Sequence, residues 1–554
     1  MGGVVGACPR TGARAVGGVV GASILDQYDY VIVGAGSAGA VLAARLTENP
    51  RTRVLLLEAG RAGHFYSRFP ISYGLLIHHP AANWLYESEP EPGTANRRIP
   101  VPRGKLLGGS SAINGLIWVR GQPHDYDTWA RMGAHGWSWH DVAPLFDRIE
   151  NFERQGAPGR GSGGPLHVSI VPDRNPLYDT LLKAAVEAGH RINSDYNNGD
   201  QEGIGKAQAS IRRGRRMSVA CCYLDPAMGR SNLSVITRAT ARRVVLDGQR
   251  CVGVVYEHRG RQLEARVRRE LIVSAGAVAT PQLLELSGIG RSEILERHGI
   301  TVRHALPAVG ENLRDHINAR VIWRVKDPRV SYNYRARGIG AVTEALRYVA
   351  TGGGFYSLPS APLVAFLKTR AELATPDIQM HLIPYAIKDP KRRKLQDFPS
   401  ITIACYQLRP ESLGSIHIRS SDPDVHPAIR FNFLTDDVDQ RAMVAGFRMM
   451  RSIAEARAMD GLRGDEFSPG KHVETDAQIL DWIRSNSQTG YHAMGTCRMG
   501  QGPDTVVDER LRVHGIEGLR VADASVFPTM PSGNTNAPAI MVGEKAADLI
   551  RAEG

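Results

Sequence analysis

At 554 residues with 42% hydrophobic content, the chain is long enough to bury a large core and to divide into two or more domains. Its formal charge is +12, but Lys and Arg are scattered instead of gathered into a tail, which argues against nucleic acid as a partner and leaves a surface with a weak preference for anions. No run approaches the roughly 20 apolar residues of a membrane span, and the six cysteines (Cys8, Cys221, Cys222, Cys251, Cys405, Cys497) show neither metal spacing nor a disulfide framework, so no metal is expected and a reducing compartment fits.

Residues 1–25 are rich in Gly, Ala and Val and only mildly apolar from Ala15 to Leu25, so they read as a flexible extension in preference to a signal peptide. Tyr28 to Val33 then forms an apolar run, followed by Gly34-Ala35-Gly36-Ser37-Ala38-Gly39, an Ala/Leu-rich stretch to Leu46, and Val54 to Gly60. The order is strand, glycine turn, helix, strand, the unit of a parallel sheet. Gly34 allows the tight turn, Gly36 lets backbone N–H groups approach a pyrophosphate, and Gly39 lets the helix pack close to the strand. The helix then directs its positive end at the phosphates. Glu58 ends the second strand, where a carboxylate accepts hydrogen bonds from a ribose and repels a 2′-phosphate. Together these features indicate a dinucleotide.

Arg61 to Pro102 has no strong period and reads as a long excursion over the first domain. Arg103 to Gly121 contains glycines and small hydroxyl residues that let main chain lie against a ligand, with Ser110, Ser111 and Asn114 offering side-chain hydrogen bonds. Asp125 to Arg154 is helical in composition, and the basic cluster Arg212-Arg213-Gly214-Arg215-Arg216 reads as an exposed loop. Ser234 to Thr237 and Val252 to Tyr256 are strand-like and bracket a basic turn at Arg242-Arg243; Glu270 to Ala277 is a buried strand, with a helix beginning beyond Thr280-Pro281. From about Asn318 to Ser485 alternating strands and helices mark a second domain on an antiparallel sheet. A helix closes the chain from about Ala539 to Arg551.

The fold class expected is therefore α/β: a discontinuous Rossmann-like nucleotide-binding domain (26–165, 200–317 and 486–554) with a second α+β domain built on an antiparallel sheet (166–199 and 318–485), behind the extension of residues 1–25.

Five stretches match a known family in order: the glycine turn, Gly104 to Asn114 (GKLLGGSSAIN), Ser274 to Gly290 (SAGAVATPQLLELSGIG), Tyr491 to Gly500 (YHAMGTCRMG) and Ser532 to Pro538 (SGNTNAP). On these residues the sequence resembles the glucose–methanol–choline family of FAD-dependent oxidoreductases. Asn83 to Pro92, Pro307 to His316 and Arg512 to Pro528 resemble its choline dehydrogenase-type members. The resemblance implies FAD, with Glu58 on the adenosine ribose, Ala241 near the adenine, Asp523 and Ala524 near the pyrophosphate or flavin, and Gly109, Ser110, Asn114, Gly115 and Ile117 along the isoalloxazine. Ser37, Ala38, Ala59, Leu116, Ala275, Gly276, Thr535 and Asn536 complete the cofactor set. Some relatives link flavin covalently to a histidine at the position matching Ile113, and an isoleucine cannot form that bond, so non-covalent FAD is expected.

Alcohol oxidation needs a base for the hydroxyl proton and a donor for the developing alkoxide. The resemblance nominates His492 as base, with a pKa near the working range, and Asn536 as donor. The expected reaction is oxidation of a small-molecule primary alcohol to the aldehyde. Electrons would go to a quinone or other non-oxygen acceptor, because Gly490 offers no apolar side chain beside the flavin. An oxygen-using oxidase and a hydroxynitrile lyase are the alternatives. Tyr491 is the candidate substrate contact, with Trp84 and Tyr356 as further wall residues. The expected localisation is cytoplasmic, with periplasmic or peripheral membrane association as the alternatives.

Overall fold

A computed structural model describes residues 27–389 and 394–553, so the N-terminal extension lies outside the described residues. The chain builds two seven-stranded sheets. In the first, Tyr28–Val33 pairs in parallel with Val54–Glu58 on one side and with the end of Arg261–Val273 on the other. Leu233–Thr237 and Leu519–Val521 extend that parallel core outward. The apolar runs suit strands covered on both faces: Val54 to Glu58 is buried throughout, and the helices Gly39–Leu46 and Asn536–Glu553 pack together beside the sheet. Gly39 makes the packing feasible, because a Cβ there would sit 2.0 Å from Gly34 O.

The second sheet is antiparallel, in the order Arg463–Ser468, Ile317–Val325, Ser400–Gln407, Ile378–Ile383, Leu363–Leu367 and Gly203–Lys206, with Gln488–Thr489 paired to the start of Ile317–Val325. Alternation splits its side chains between two faces. Ala319, Val321 and Trp323 join Ile401, Ile403 and Cys405 in a core covered by the helix Asp437–Glu455. That helix comes so close that a Cβ on Gly446 would lie 3.0 Å from Ile378 Cδ1. The opposite face, carrying Asn318, Arg320, Thr402, Ala404, Tyr406 and His381, walls a cavity.

Several local expectations change. Arg242 and Arg243 lie within the strand Ala239–Asp247, not in a turn, because Arg242 is held by Glu257 across the strand pair and by Asp424. The basic cluster is a small hairpin of Ile211–Arg212 and Arg215–Arg216 whose last arginine is buried. Gly203–Lys206, expected in the nucleotide domain, pairs with Leu363–Leu367 in the second sheet. The helix expected beyond Pro281 instead begins at Gly276 and contains that proline. Pro281 has no N–H for Ala277 O, the carbonyl four residues earlier, and Thr496 Oγ1 donates to that oxygen at 2.7 Å instead. No helix among the described residues is long and apolar enough to cross a membrane.

Candidate active site

A cavity of about 600 Å³ runs between the two sheets, from Glu58 and Ala241 at one end to His492 and the antiparallel sheet at the other. Every residue nominated for the cofactor borders it except Gly39, whose role is the helix packing above. The residues fit a flavin dinucleotide. Gly109 has a φ of +51° and a Cβ there would lie 2.7 Å from Gly36 Cα, so the two glycine loops close on one another along the cavity. The helix Asn536–Glu553 starts at the cavity, so its unpaired N–H groups and positive end face it.

At the nucleotide end, Glu58 Oε2 accepts from Ala35 N–H at 3.0 Å and Oε1 from Gly60 N–H at 2.8 Å. Each oxygen retains a lone pair for a hydroxyl donor. Burial nevertheless pushes the Glu58 carboxyl up to about 7 against the lowering effect of those two N–H groups. Asp523 accepts from Gly276 N–H, Thr280 Oγ1 and Ser525 N–H; it ties the chain after Leu519–Val521 to the start of the helix Gly276–Leu286. Asn114 is fixed by the buried Arg216, whose Nη1 donates to its Oδ1 at 2.8 Å and to its backbone O at 2.7 Å.

At the other end the Nδ1 atoms of His492 and His316 are 2.8 Å apart, and His316 Nε2 lies 2.9 Å from Leu408 O. A carbonyl only accepts, so His316 donates from Nε2. Burial lowers His316 to about 4, which leaves it neutral with a lone pair on Nδ1. His492 therefore donates from Nδ1, and its Nε2 carries the lone pair. Asn534 Nδ2 donates to that Nε2 at 2.9 Å. Asp315 holds the two histidine backbones, with Oδ1 accepting from His316 N–H at 2.7 Å and from His492 N–H at 2.8 Å. His492 was expected to titrate near neutrality. Burial first, then His316, His381 and Arg103, hold it well below the ordinary histidine range.

The pairing of His492 with Asn536 is also corrected. Asn536 is the first residue of the last helix and its Oδ1 accepts from Ser37 Oγ at 2.8 Å, which joins that helix to the glycine turn. Asn534, two residues earlier in the loop, is the asparagine that meets His492. Tyr491 and Trp84 border the cavity, whereas Tyr356 packs against Phe355 and Tyr348 away from it. Sequence reasoning missed Asn534, Asp315, His316, His381 and Arg320. The adjacent Asp315-His316 was a usable signal, since an acid and a histidine side by side can brace a second histidine.

Comparisons with known proteins place the chain among relatives. Family models described as GMC oxidoreductase match residues 28–318 and 410–543. An oxygen-dependent choline dehydrogenase of Paraburkholderia xenovorans is 40% identical over 95% of this chain and 94% of its own length. One from Escherichia coli is 39% identical over 95% and 96%. Among solved structures, pyridoxine 4-oxidase from Mesorbium loti has a TM-score of 0.86 at 28% identity, covering 95% of this chain and 99% of that one. A formate oxidase variant of Aspergillus oryzae has a TM-score of 0.88 at 28% identity, covering 95% and 98%.

Proposed function

Since this chain belongs to the GMC oxidoreductase family, we propose that it oxidises a primary alcohol to the aldehyde with non-covalent FAD. The observation that carries the proposal is the unprotonated Nε2 of His492, which borders the cavity and accepts from the amide of Asn534. A substrate hydroxyl that displaces this contact gives its proton to His492 Nε2 while Asn534 Nδ2 donates to the oxygen, and the carbon–oxygen bond becomes a carbonyl as the carbon loses hydride. Bound FAD supplies the two-electron acceptor for that hydride. His316 keeps the His492 proton on Nδ1, so Nε2 is the atom that receives the new one. Glu58 and the glycine turn bind the nucleotide, and the buried Ile113 offers no nucleophile for a flavin link.

Anaerobic addition of primary alcohols to the purified holoenzyme tests this reading. Loss of the oxidised flavin absorbance is expected with alcohols, together with release of free FAD on mild denaturation. A flavin that stays oxidised with every alcohol defeats the reaction, and flavin that precipitates with the polypeptide defeats the non-covalent assignment.

For the acceptor we read a quinone-like or dye acceptor, as Gly490 indicates. Gly490 also has a packing reason of its own, since a Cβ there would lie 3.0 Å from His316 Cβ and 3.1 Å from His492 Nδ1. A second reading, transfer to oxygen with hydrogen peroxide released, is favoured by the names of the relatives, which are oxygen-dependent. Stoichiometric peroxide in air at a rate matching that with a dye selects the second.

A further inference from the structure

The cavity wall made by the antiparallel sheet is ordered in rows across its strands. Tyr406 pairs with Gln379, and Asn318 lies two residues before Arg320 on the same face. This innermost row touches the proposed reacting groups: the Tyr406 and His492 rings are 5.7 Å apart, and Gln379 Nε2 donates to Asn534 Oδ1 at 3.3 Å. The next row is Arg320, Ala404 and His381, and the outer one is Ile322, Thr402 and Ile383. The wall therefore passes from neutral polar through cationic to largely apolar.

Two observations bear on what this order recognises. Asn318 Oδ1 and Tyr406 Oη, on residues that border the cavity, are buried with no hydrogen-bond partner among the described residues, so the inner row has unused polar capacity of the kind a bound polar molecule satisfies. Arg320 borders the cavity, and among the described residues its guanidinium has no ion pair. Its neighbour His381 supplies no negative charge; burial first, then Arg320, lowers it to about 4.

The three carboxylates that border the cavity are committed elsewhere: Glu58 to the glycine turn, Asp424 to Arg242, and Asp523 to Gly276 and Thr280. Arg103, another cation of the wall, has Asp315 as a counter-charge. Arg320 is thus a cation at the substrate end that lacks an anion.

We infer that the pocket takes a short primary alcohol carrying a carboxylate, the hydroxyl lying at His492 and Asn534 and the carboxylate on Arg320. This rests on the alcohol oxidation proposed above and names its substrate class. Residues two apart on a strand are about 7 Å apart, so a chain of about three or four carbons spans the inner two rows. A quaternary ammonium such as that of choline would meet Arg320 with no carboxylate to offset it.

The test compares anaerobic flavin reduction in the holoenzyme by 4-hydroxybutanoate, 1-butanol and choline. The second-order rate constant for 4-hydroxybutanoate should exceed that for 1-butanol by about tenfold to a hundredfold, the scale of a charged hydrogen bond. Arg320→Met should bring that ratio close to one, and Arg320→Glu should turn the preference toward choline. Equal rates for the two in the wild type, or a ratio that survives Arg320→Met, overturns the inference while leaving alcohol oxidation standing. Titration of butanoate into the oxidised holoenzyme adds a reading independent of turnover. A flavin absorbance change in the wild type that is absent from Arg320→Met supports the anion site even if no alcohol is oxidised; no change in the wild type overturns it.

Discussion

His316 and His492 face each other through their Nδ1 atoms at 2.8 Å, with ring planes 83° apart, and because Leu408 O takes the only proton of a neutral His316, the proton in this contact belongs to His492. His316 is thus a positioning residue for His492.

Replacing His316 by Phe should leave FAD bound but slow flavin reduction by about tenfold to a hundredfold, a part of what a positioned base contributes. In the proposed reaction the neutral form of His492 is the active one, and its folded value is lowered. The wild-type rate should therefore stay level through neutrality and fall only when pH drops well below 6.5. Once the pH is low enough to charge His316 as well, its repulsion adds to the effect of burial, so the acid limb should move to higher pH in His316→Phe while burial still keeps it low. His316→Gln, which can offer a carbonyl to His492 Nδ1–H, should recover part of the rate. A pH profile identical to the wild type would remove the positioning role.

The two asparagines of the tail should separate cleanly. Asn534→Ala should slow reduction by about a hundredfold or more with FAD retained, the range of a lost alkoxide donor. Asn536→Ala should instead weaken FAD retention, since it loses the contact with Ser37. His492→Ala combined with Asn534→Ala should cost less than the product of the single changes, because in the proposed reaction both groups serve one oxygen. Stopped-flow reduction of flavin-loaded variants checks this, and an Asn534→Ala protein with a normal rate would return the donor role to open contest.

Glu58→Ala should raise the dissociation constant for FAD, measured by equilibrium titration of the flavin-free protein. The raised Glu58 carboxyl carries a pH signature as well. Between its ordinary 4.5 and about 7 the folded protein holds a proton that the unfolded chain has released. Stability of the flavin-free protein should fall as pH rises across that window, by on the order of 3 kcal/mol in total. Thermal melts should show the slope in the wild type and a flatter one in Glu58→Gln, and equal slopes would contradict the assignment.

Thr496→Val should destabilise the protein by about 1–3 kcal/mol, because it strands the Ala277 carbonyl that Pro281 cannot bond. The Pro281→Ala change gives that carbonyl a helical N–H, so adding it to Thr496→Val should recover part of the loss. Denaturant melts of the single and double variants measure the coupling, and strictly additive effects would count against it.

The sequence by itself determined the nucleotide half. Tyr28 to Gly60 folds by local rules, with strand, turn and helix contiguous and Gly34, Gly36 and Gly39 each meeting a backbone requirement within a few residues, and the structure puts Glu58 at the cavity as that order implies. The antiparallel character of the second sheet was legible for the same reason, since alternation is a local pattern. What only the tertiary structure decided depends on residues far apart in the chain. His316 and His492 are 176 positions apart, and their contact fixes both the proton position and the loss of basicity through burial that composition does not reveal. Asn534 and Asn536 are indistinguishable by type and nearly by place, and the start of the last helix sends one to His492 and the other to Ser37. Arg320 reaches the cavity instead of the core only because the register pairs it with Ala404; a slip of one residue would reverse the faces.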